Sequence, residues 1–490
     1  MLERQSPTLS ADGLAVVLQL LASKHWLLEI ADVEGAFLQG DMFQRKNGPL
    51  FIRLPKDGVP GVPEGSLVEL KKCVYGLNDA PLRWWHSMCK TLKQCGMRQS
   101  ELDPCVFWYH HLGNLSGTIA LHVDDMILVG DRFFQEHVLK RLRETYPFKH
   151  WVQKKGEFLG RRLAQKEDFS IEVDQQHYSN SVQTIFISKD RRKEKESRVT
   201  DAELKAFRGV LGTANWIVGS TRPDIAVLTA QLQQRVSRAT VSDSIDANKL
   251  VSKIRDFSHV KIVYKSIPLE HAVLVSTSDA SWSNTETLGS QAGYFLLLAD
   301  KRIKENMWAD VTPLRWKSYK LERKTQSTLG AELMSAARTL AEGNWLRSVF
   351  AEALYPDYTL ERDRVFRDRM DLVLVVDNKP LYDHTKGTGV VVKDKRVAID
   401  MLLVRRDLYA SNSEIRWVDT RQMLSDALTK CNACSDFMLF VLRFGKFILI
   451  REEESLEWRV KERELKRSTD SKNRGKLKER HQHVESGVCE

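Results

Sequence analysis

No apolar run in this 490-residue chain approaches the roughly 20 residues that a helix needs to cross a bilayer, and the opening MLERQSPTLS lacks the basic-then-apolar order of a secretory leader. Cysteine is sparse and irregular: seven residues, at 73, 89, 95, 105, 431, 434 and 489. The one C-x-x-C pair, Cys431 and Cys434, has neither a second pair nor a histidine pair to complete a zinc site. These absences argue against a membrane span, a disulfide-stapled module and a zinc module. A soluble protein in a reducing, intracellular setting is expected. No internal repeat is present, and the length allows roughly two to four separate cores.

Charge is plentiful. Lys and Arg number 75 against 65 Asp and Glu, a net charge of +10 that fits a polyanion partner without requiring one. Two basic clusters stand out. The first, 140 to 166, includes Lys154, Lys155, Arg161 and Arg162 with Trp151 and Phe158 among them; the second, 301 to 324, includes Arg315 and Lys317 with Trp308, Trp316 and Tyr319. Cations that neutralise phosphates beside rings that stack on bases make these residues candidate nucleic-acid contacts. The same pattern also describes a solvated face over core aromatics.

Along the chain, LSADGLAVVLQLLASKH (9 to 25) has a Ser/Asp cap and helical apolar spacing, and WLLEIADVEGAFL reads as a strand entering a turn. GTIALHV and MILVG are short strands flanking Asp124 and Asp125, with a helix expected at 133 to 144. The charge run KDRRKEKESRVTDAE (189 to 203) is the best linker candidate, and a mostly helical region follows it. From 272 the pattern is strand, strand, strand, helix, strand, helix, strand, helix, which predicts a mixed sheet covered by helices. The chain after 451 is charged and poor in apolar residues beyond Trp458.

Adjacent aspartates at a turn are usually turn chemistry. Here the flanking strands are apolar almost throughout, so Asp124 and Asp125 would be costly in a buried hairpin unless a divalent cation met them. Asp32, at the end of another apolar strand, supplies a third carboxylate, enough to hold two metal ions for nucleotidyl transfer. DVEGAFLQGD (32 to 41), LKKCVYGLNDAPLRWW (70 to 85), LHVDDMILVG (121 to 130), FLG (158 to 160) and TRPDI (221 to 225), in this order, resemble the reverse transcriptase of copia-type LTR retrotransposons. The resemblance implies Asp32, Asp124 and Asp125 as the metal-binding triad, Phe37 as the gate against a ribose 2′-hydroxyl, and Tyr75 and Gly76 in the nucleotide pocket. His122 stands where the family usually has an aromatic. Family members also carry an upstream fingers segment; about 30 residues precede Asp32, so truncated fingers are expected.

Asp279 in STSDASW, Glu332 in GAELMSAA, Asp377 at the end of LVLVVD and Asp426 in MLSDALTK are unremarkable singly. Together they resemble the Asp-Glu-Asp-Asp set of ribonuclease H in copia-type elements, which implies two-metal cleavage of RNA paired to DNA. In the family, histidines accompany KRVAIDMLLVRRDL (395 to 408), where only Ile399 and Asp400 of that signature persist here; His384 reads as a surface residue. The resemblance thus implies an α+β multidomain chain: reverse transcriptase palm and thumb over 1 to 195, a connection region over 196 to 271, a ribonuclease H-like mixed sheet over 272 to 432, and a flexible charged tail over 433 to 490. It implies Mg²⁺ or Mn²⁺, two per site, and RNA template, DNA primer, RNA/DNA hybrid and dNTPs as partners, without a membrane. A second copy or other Pol segments are further partners to expect, in a cytoplasmic particle and in the nucleus. The competing expectation is a decayed or domesticated fragment that binds nucleic acid and retains ribonuclease H alone, or neither activity.

Overall fold

The computed structural model describes residues 6–461 apart from 43–47, 55–56, 58–59, 286–288, 388–391, 393, 432–434 and 459. Cys434, the boundary at 432 and the tail beyond 461 lie outside the described residues. Among the described residues no helix is long and apolar enough to cross a membrane.

Three large sheets and a two-stranded ribbon, Phe51–Arg53 with Leu67–Glu69, organise the described residues. The first has six strands in the order Arg98–Gln99, Val106–His111, Asn114–His122, Asp125–Gly130, Glu29–Val33 and Phe148–Gln153, all antiparallel. Alternating burial is replaced by continuous burial in its central strands, so the sheet is covered on both faces. In a second sheet of four strands (Lys261–Tyr264, Ile171–Asp174, Arg161–Gln165, Lys155–Phe158), the chain between Ile171–Asp174 and Lys261–Tyr264 forms the helices Asp201–Val218, Ala226–Arg235 and Val241–Asp256, which share a separate apolar core around Phe207, Leu211 and Val251.

The third sheet has the order Ser413–Trp417, Asp371–Val376, Ala272–Ser281, Gln291–Asp300, Ala309–Lys320, Lys446–Phe447. Its first three strands in the chain form an antiparallel meander, after which Asp371–Val376 returns parallel to Ala272–Ser281 and Ser413–Trp417 lies parallel to Asp371–Val376. A parallel return needs a long crossover, and the 27-residue helix Thr328–Leu354 supplies it. This is the mixed sheet covered by helices that the pattern from 272 predicts.

Two expectations change. The charge run 189 to 203 is a bonded corner: Arg191 donates to Glu203 at 3.0 Å, to Ser197 at 2.8 Å and to Glu194, while Thr200 and Glu203 cap the next helix reciprocally. Charge alone hid it, because Arg191, Arg192 and Lys193 each find a partner nearby. Part of the stretch expected to be a flexible tail is packed: Met438, Val441 and Leu442 of the helix Asp436–Phe444 are buried and Phe447 joins the third sheet.

The N-terminal helix Ala11–Ser23 is apolar on every side because it is buried on every side, touching the first sheet, the strand Ala309–Lys320 and the helix Thr328–Leu354. A second joint lies at the far end of that long helix. Glu352 is 1% exposed and accepts from the Glu101 N–H at 2.6 Å, the Trp108 indole at 3.3 Å and the Ser100 hydroxyl. Arg98 caps the same helix end, donating to the carbonyls of Glu352, Pro356 and Tyr358. Glu352→Ala strands two buried donors and a part-buried one, so a loss of about 3 kcal/mol in urea unfolding is expected, and a loss under about 1 kcal/mol would contradict this joint.

Candidate active sites

The first site is built on strand register. Asp32 on Glu29–Val33 sits directly opposite Asp125, the first residue of its neighbour, and His122 opposes Asp125 across a two-residue turn, Val123–Asp124. Val123 has φ +61°, a strained conformation for a β-branched residue. The fully buried Trp84, on the helix Ala80–Gln94, holds the turn by donating its indole N–H to the Val123 carbonyl at 2.7 Å, and the Val33 N–H donates to the Asp124 carbonyl at 3.3 Å. These bonds aim two carboxylates at a third.

Burial, then the charges of Asp124, Asp32 and Glu157, push the Asp125 carboxyl up to about 6. Asp32 is raised by burial and Asp124, partly offset by Lys149 and His150. Burial lowers His122, and its Nδ1 is buried without a hydrogen-bond partner. Phe37 and Tyr75 meet as a tilted ring pair 4.8 Å apart beside Gly76, whose φ of +91° favours glycine; Tyr75 is exposed.

At the second site, Asp279 stands in the strand Ala272–Ser281, Asp377 directly follows Asp371–Val376, and Asp426 lies in the turn Leu424–Leu428, which is a 3₁₀ helix where an α-helix was expected. Each offers an oxygen within 4.8 Å of the other two. Among the described residues no other three His, Cys, Asp or Glu bring ligand atoms so close, so Asp32, Asp124 and Asp125 are more open. Glu332, on the first turns of Thr328–Leu354, faces the group and accepts from the Ala280 N–H at 3.2 Å.

Burial first, then Asp377, raises Asp279 to about 7 despite the opposing Lys430; burial and the charges of Asp279 and Asp377 raise Glu332 well above the usual carboxylate range. Thr429 donates to Asp279, Thr420 to Asp377 at 2.7 Å, and Lys430 bonds Asp426 with its ammonium 3.7 Å from Asp279. These three were not singled out in the sequence, although the four-residue step from Asp426 to Lys430 within SDALTK was a usable signal. His384 is half-buried on the helix Lys379–Lys386, and Asp400 pairs with Arg323.

The basic candidates divide. Lys154, Lys155, Arg162 and Lys317 are exposed, with Lys154 near Glu167 and Arg162 bonded to Asp174 at 2.7 Å. Arg161 is a correction: it is 8% exposed, with its guanidinium 4.8 Å over the Trp216 ring, so packing occupies it. Arg315 is another, pairing at 3.2 Å, without hydrogen-bond alignment, with Asp12 of the N-terminal helix. Phe158 and Trp316 are likewise core, and the Trp316 indole donates to the Val218 carbonyl at 2.7 Å. Sequence clustering could not separate these from surface cations, because both kinds alternate along the same strands.

Residues 1–191 match the family model of reverse transcriptase (RNA-dependent DNA polymerase). The chain is 23% identical over 459 residues to the Retrovirus-related Pol polyprotein from transposon RE1 of Arabidopsis thaliana, covering 90% of this chain and 29% of that protein. It is also 23% identical over 473 residues to the Transposon Ty1-GR2 Gag-Pol polyprotein of Saccharomyces cerevisiae, with 87% and 24% covered. Among solved structures, the foamy viral protease-reverse transcriptase in complex with RNA/DNA hybrid matches with a TM-score of 0.44 and 12% identity, over 86% of this chain and 46% of that one. The chain thus spans under a third of the curated relatives named here. Over residues 1–191 the chain is similar to the reverse transcriptase family, and across nine-tenths of its length it is similar to retrotransposon Pol polyproteins.

Proposed function

We propose that this chain joins two nucleic-acid chemistries: RNA-directed DNA synthesis at Asp32, Asp124 and Asp125, and cleavage of the RNA strand of an RNA/DNA hybrid at Asp279, Glu332, Asp377 and Asp426. The convergence of Asp279, Asp377 and Asp426 to within 4.8 Å from three separate elements is the observation that carries it. Both donor sets are carboxylate oxygens, the ligands that hard divalent cations take; burial first and mutual repulsion second raise Asp279, Glu332 and Asp125, and a cation relieves the repulsion. Mg²⁺ or Mn²⁺, two per site, would supply activation of the attacking oxygen and stabilisation of the leaving one.

The chain's own groups orient the ligands. Thr429 and Thr420 fix the rotamers of Asp279 and Asp377, the Ala280 N–H fixes Glu332, and Trp84 fixes the hairpin that presents Asp124 and Asp125. Phe37 and Tyr75 form the nucleotide-facing wall in this reading, with RNA template, DNA primer and dNTPs as ligands. A second reading, in which only the nuclease half turns over, draws on the more open spacing of the first three carboxylates.

Incubated with Mg²⁺ and a labelled RNA/DNA hybrid, the purified chain is expected to cut the RNA strand, and Glu332→Gln to lose that cleavage. A wild-type chain that binds the hybrid but leaves it whole would overturn the nuclease assignment.

A further inference from the structure

Away from both carboxylate sites, a cavity of about 30 Å³ lies between the N-terminal helix Ala11–Ser23, the second sheet, the turn after the helix Asp201–Val218 and the strand Ala309–Lys320. Leu14, Leu18 and Ile262 make much of its wall apolar, and Arg161, Arg315, Tyr264 and Ser220 line it as well. Arg161 is 8% exposed, and its Nη1 is buried without a hydrogen-bond partner among the described residues. Trp216 covers one face of that guanidinium at 4.8 Å, but a ring over the face leaves the in-plane N–H donors unmet and the charge in place. Burial lowers the Arg161 pKa, and the Tyr264 hydroxyl, rather than any described carboxylate, opposes that shift. Arg315, by contrast, has Asp12 at 3.2 Å. Both guanidiniums act on the buried Tyr264 hydroxyl, lowering its pKa against the rise that burial causes. The Ser220 hydroxyl is committed to the Trp216 carbonyl at 2.8 Å, so of the two hydroxyls in the wall Tyr264 is the available donor. A buried charge without a counter-charge is costly; water would meet the donors without cancelling the charge, whereas a small monovalent anion does both.

We infer that this cavity is a halide-sized anion site, binding one chloride between Arg161 and Tyr264. Its volume admits a monatomic anion and excludes a nucleotide phosphate with its sugar, so it is not a contact to nucleic acid. Because the wall is drawn from four elements, the bound anion ties the N-terminal helix to the second and third sheets. Occupancy stabilises the folded chain and depends on neither carboxylate site.

The test is thermal melting of the full chain without divalent metal, as sodium gluconate is exchanged for sodium chloride at constant sodium concentration, in wild type, Arg161→Met and Tyr264→Phe. Gluconate carries the same charge as chloride and is too large for the cavity. The wild-type melting temperature should rise along a saturating curve, as mass action requires of a ligand bound only by the folded state. Arg161→Met should lose that rise. Tyr264→Phe, which keeps the charge and removes one donor, should need about fivefold more chloride for the same gain, and it decides the matter should Arg161→Met fail to fold. A wild-type melting temperature indifferent to the exchange would overturn the site and leave the cavity to water. The same rise in wild type and in each folded variant would overturn it too, as a general effect of salt.

Discussion

Asp279→Asn should lower hybrid cleavage by at least about a thousandfold, a loss of roughly 4 kcal/mol of transition-state stabilisation, and at the same time make the metal-free protein more stable above pH 7. The two effects have one cause. Asp279 is 1% exposed and faces Asp377 and Asp426, so its ionised form is disfavoured in the folded chain and its carboxyl is raised to about 7. The folded state then holds a proton that the unfolded state releases near 3.8, and stability falls as pH rises from about 4 through 7. Asparagine removes that ionisation. The variant should match wild type near pH 4, gain steadily between pH 4 and 7, and keep a gain of up to about 4 kcal/mol above that, the raised value already including the opposing charge of Lys430. Adding Mg²⁺ should raise the wild-type melting temperature more than the variant's, because the cation binds the charged cluster only in the folded chain. A variant that melts below wild type at pH 8 without metal would show that the carboxylate serves the fold rather than strains it.

Asp125→Asn should reduce primer extension on poly(rA)/oligo(dT) by at least about a thousandfold relative to whatever rate the wild-type chain gives. Asp125 lies opposite Asp32 in register, and the hairpin that carries it is pinned by the Trp84 indole, so the substitution leaves the strand ladder intact while removing one ligating charge. The raised Asp125 carboxyl, at about 6, means that the metal-free wild type also loses stability as pH rises towards and through 6, a loss that Asn abolishes. Extension retained within about tenfold of wild type would remove Asp125 from the chemistry. Hybrid cleavage should survive this substitution, because Asp279 and Asp377 lie on and just after strands of a different sheet.

Much of this architecture was readable before any coordinates. The alternation from three strands to a long helix and then to two more strands fixed the third sheet, since a parallel return has few alternatives. Asp32, Asp124 and Asp125 stood out as charges beside apolar strands, where a charge needs a reason, whereas Asp279, Glu332, Asp377 and Asp426 were unremarkable singly and stood out only through the resemblance of their motifs taken together. What stayed hidden were partners supplied by tertiary packing. Arg161 and Arg315 look like surface cations in a linear reading, yet one stacks on Trp216 and the other meets Asp12. Thr429 and Lys430 gain their roles only when the turn Leu424–Leu428 is laid beside Asp279. Glu352 reads as one more helix carboxylate until Trp108 and Ser100 close around it.

The account stands on two carboxylate sites that work separately within one chain. Assaying primer extension and hybrid cleavage side by side in Asp125→Asn and Asp279→Asn addresses that point most directly. Crossed losses are predicted, with synthesis gone and cutting kept in the first variant, and cutting gone and any synthesis kept in the second. Either substitution removing both activities, or Asp279→Asn leaving cleavage untouched, would contradict it.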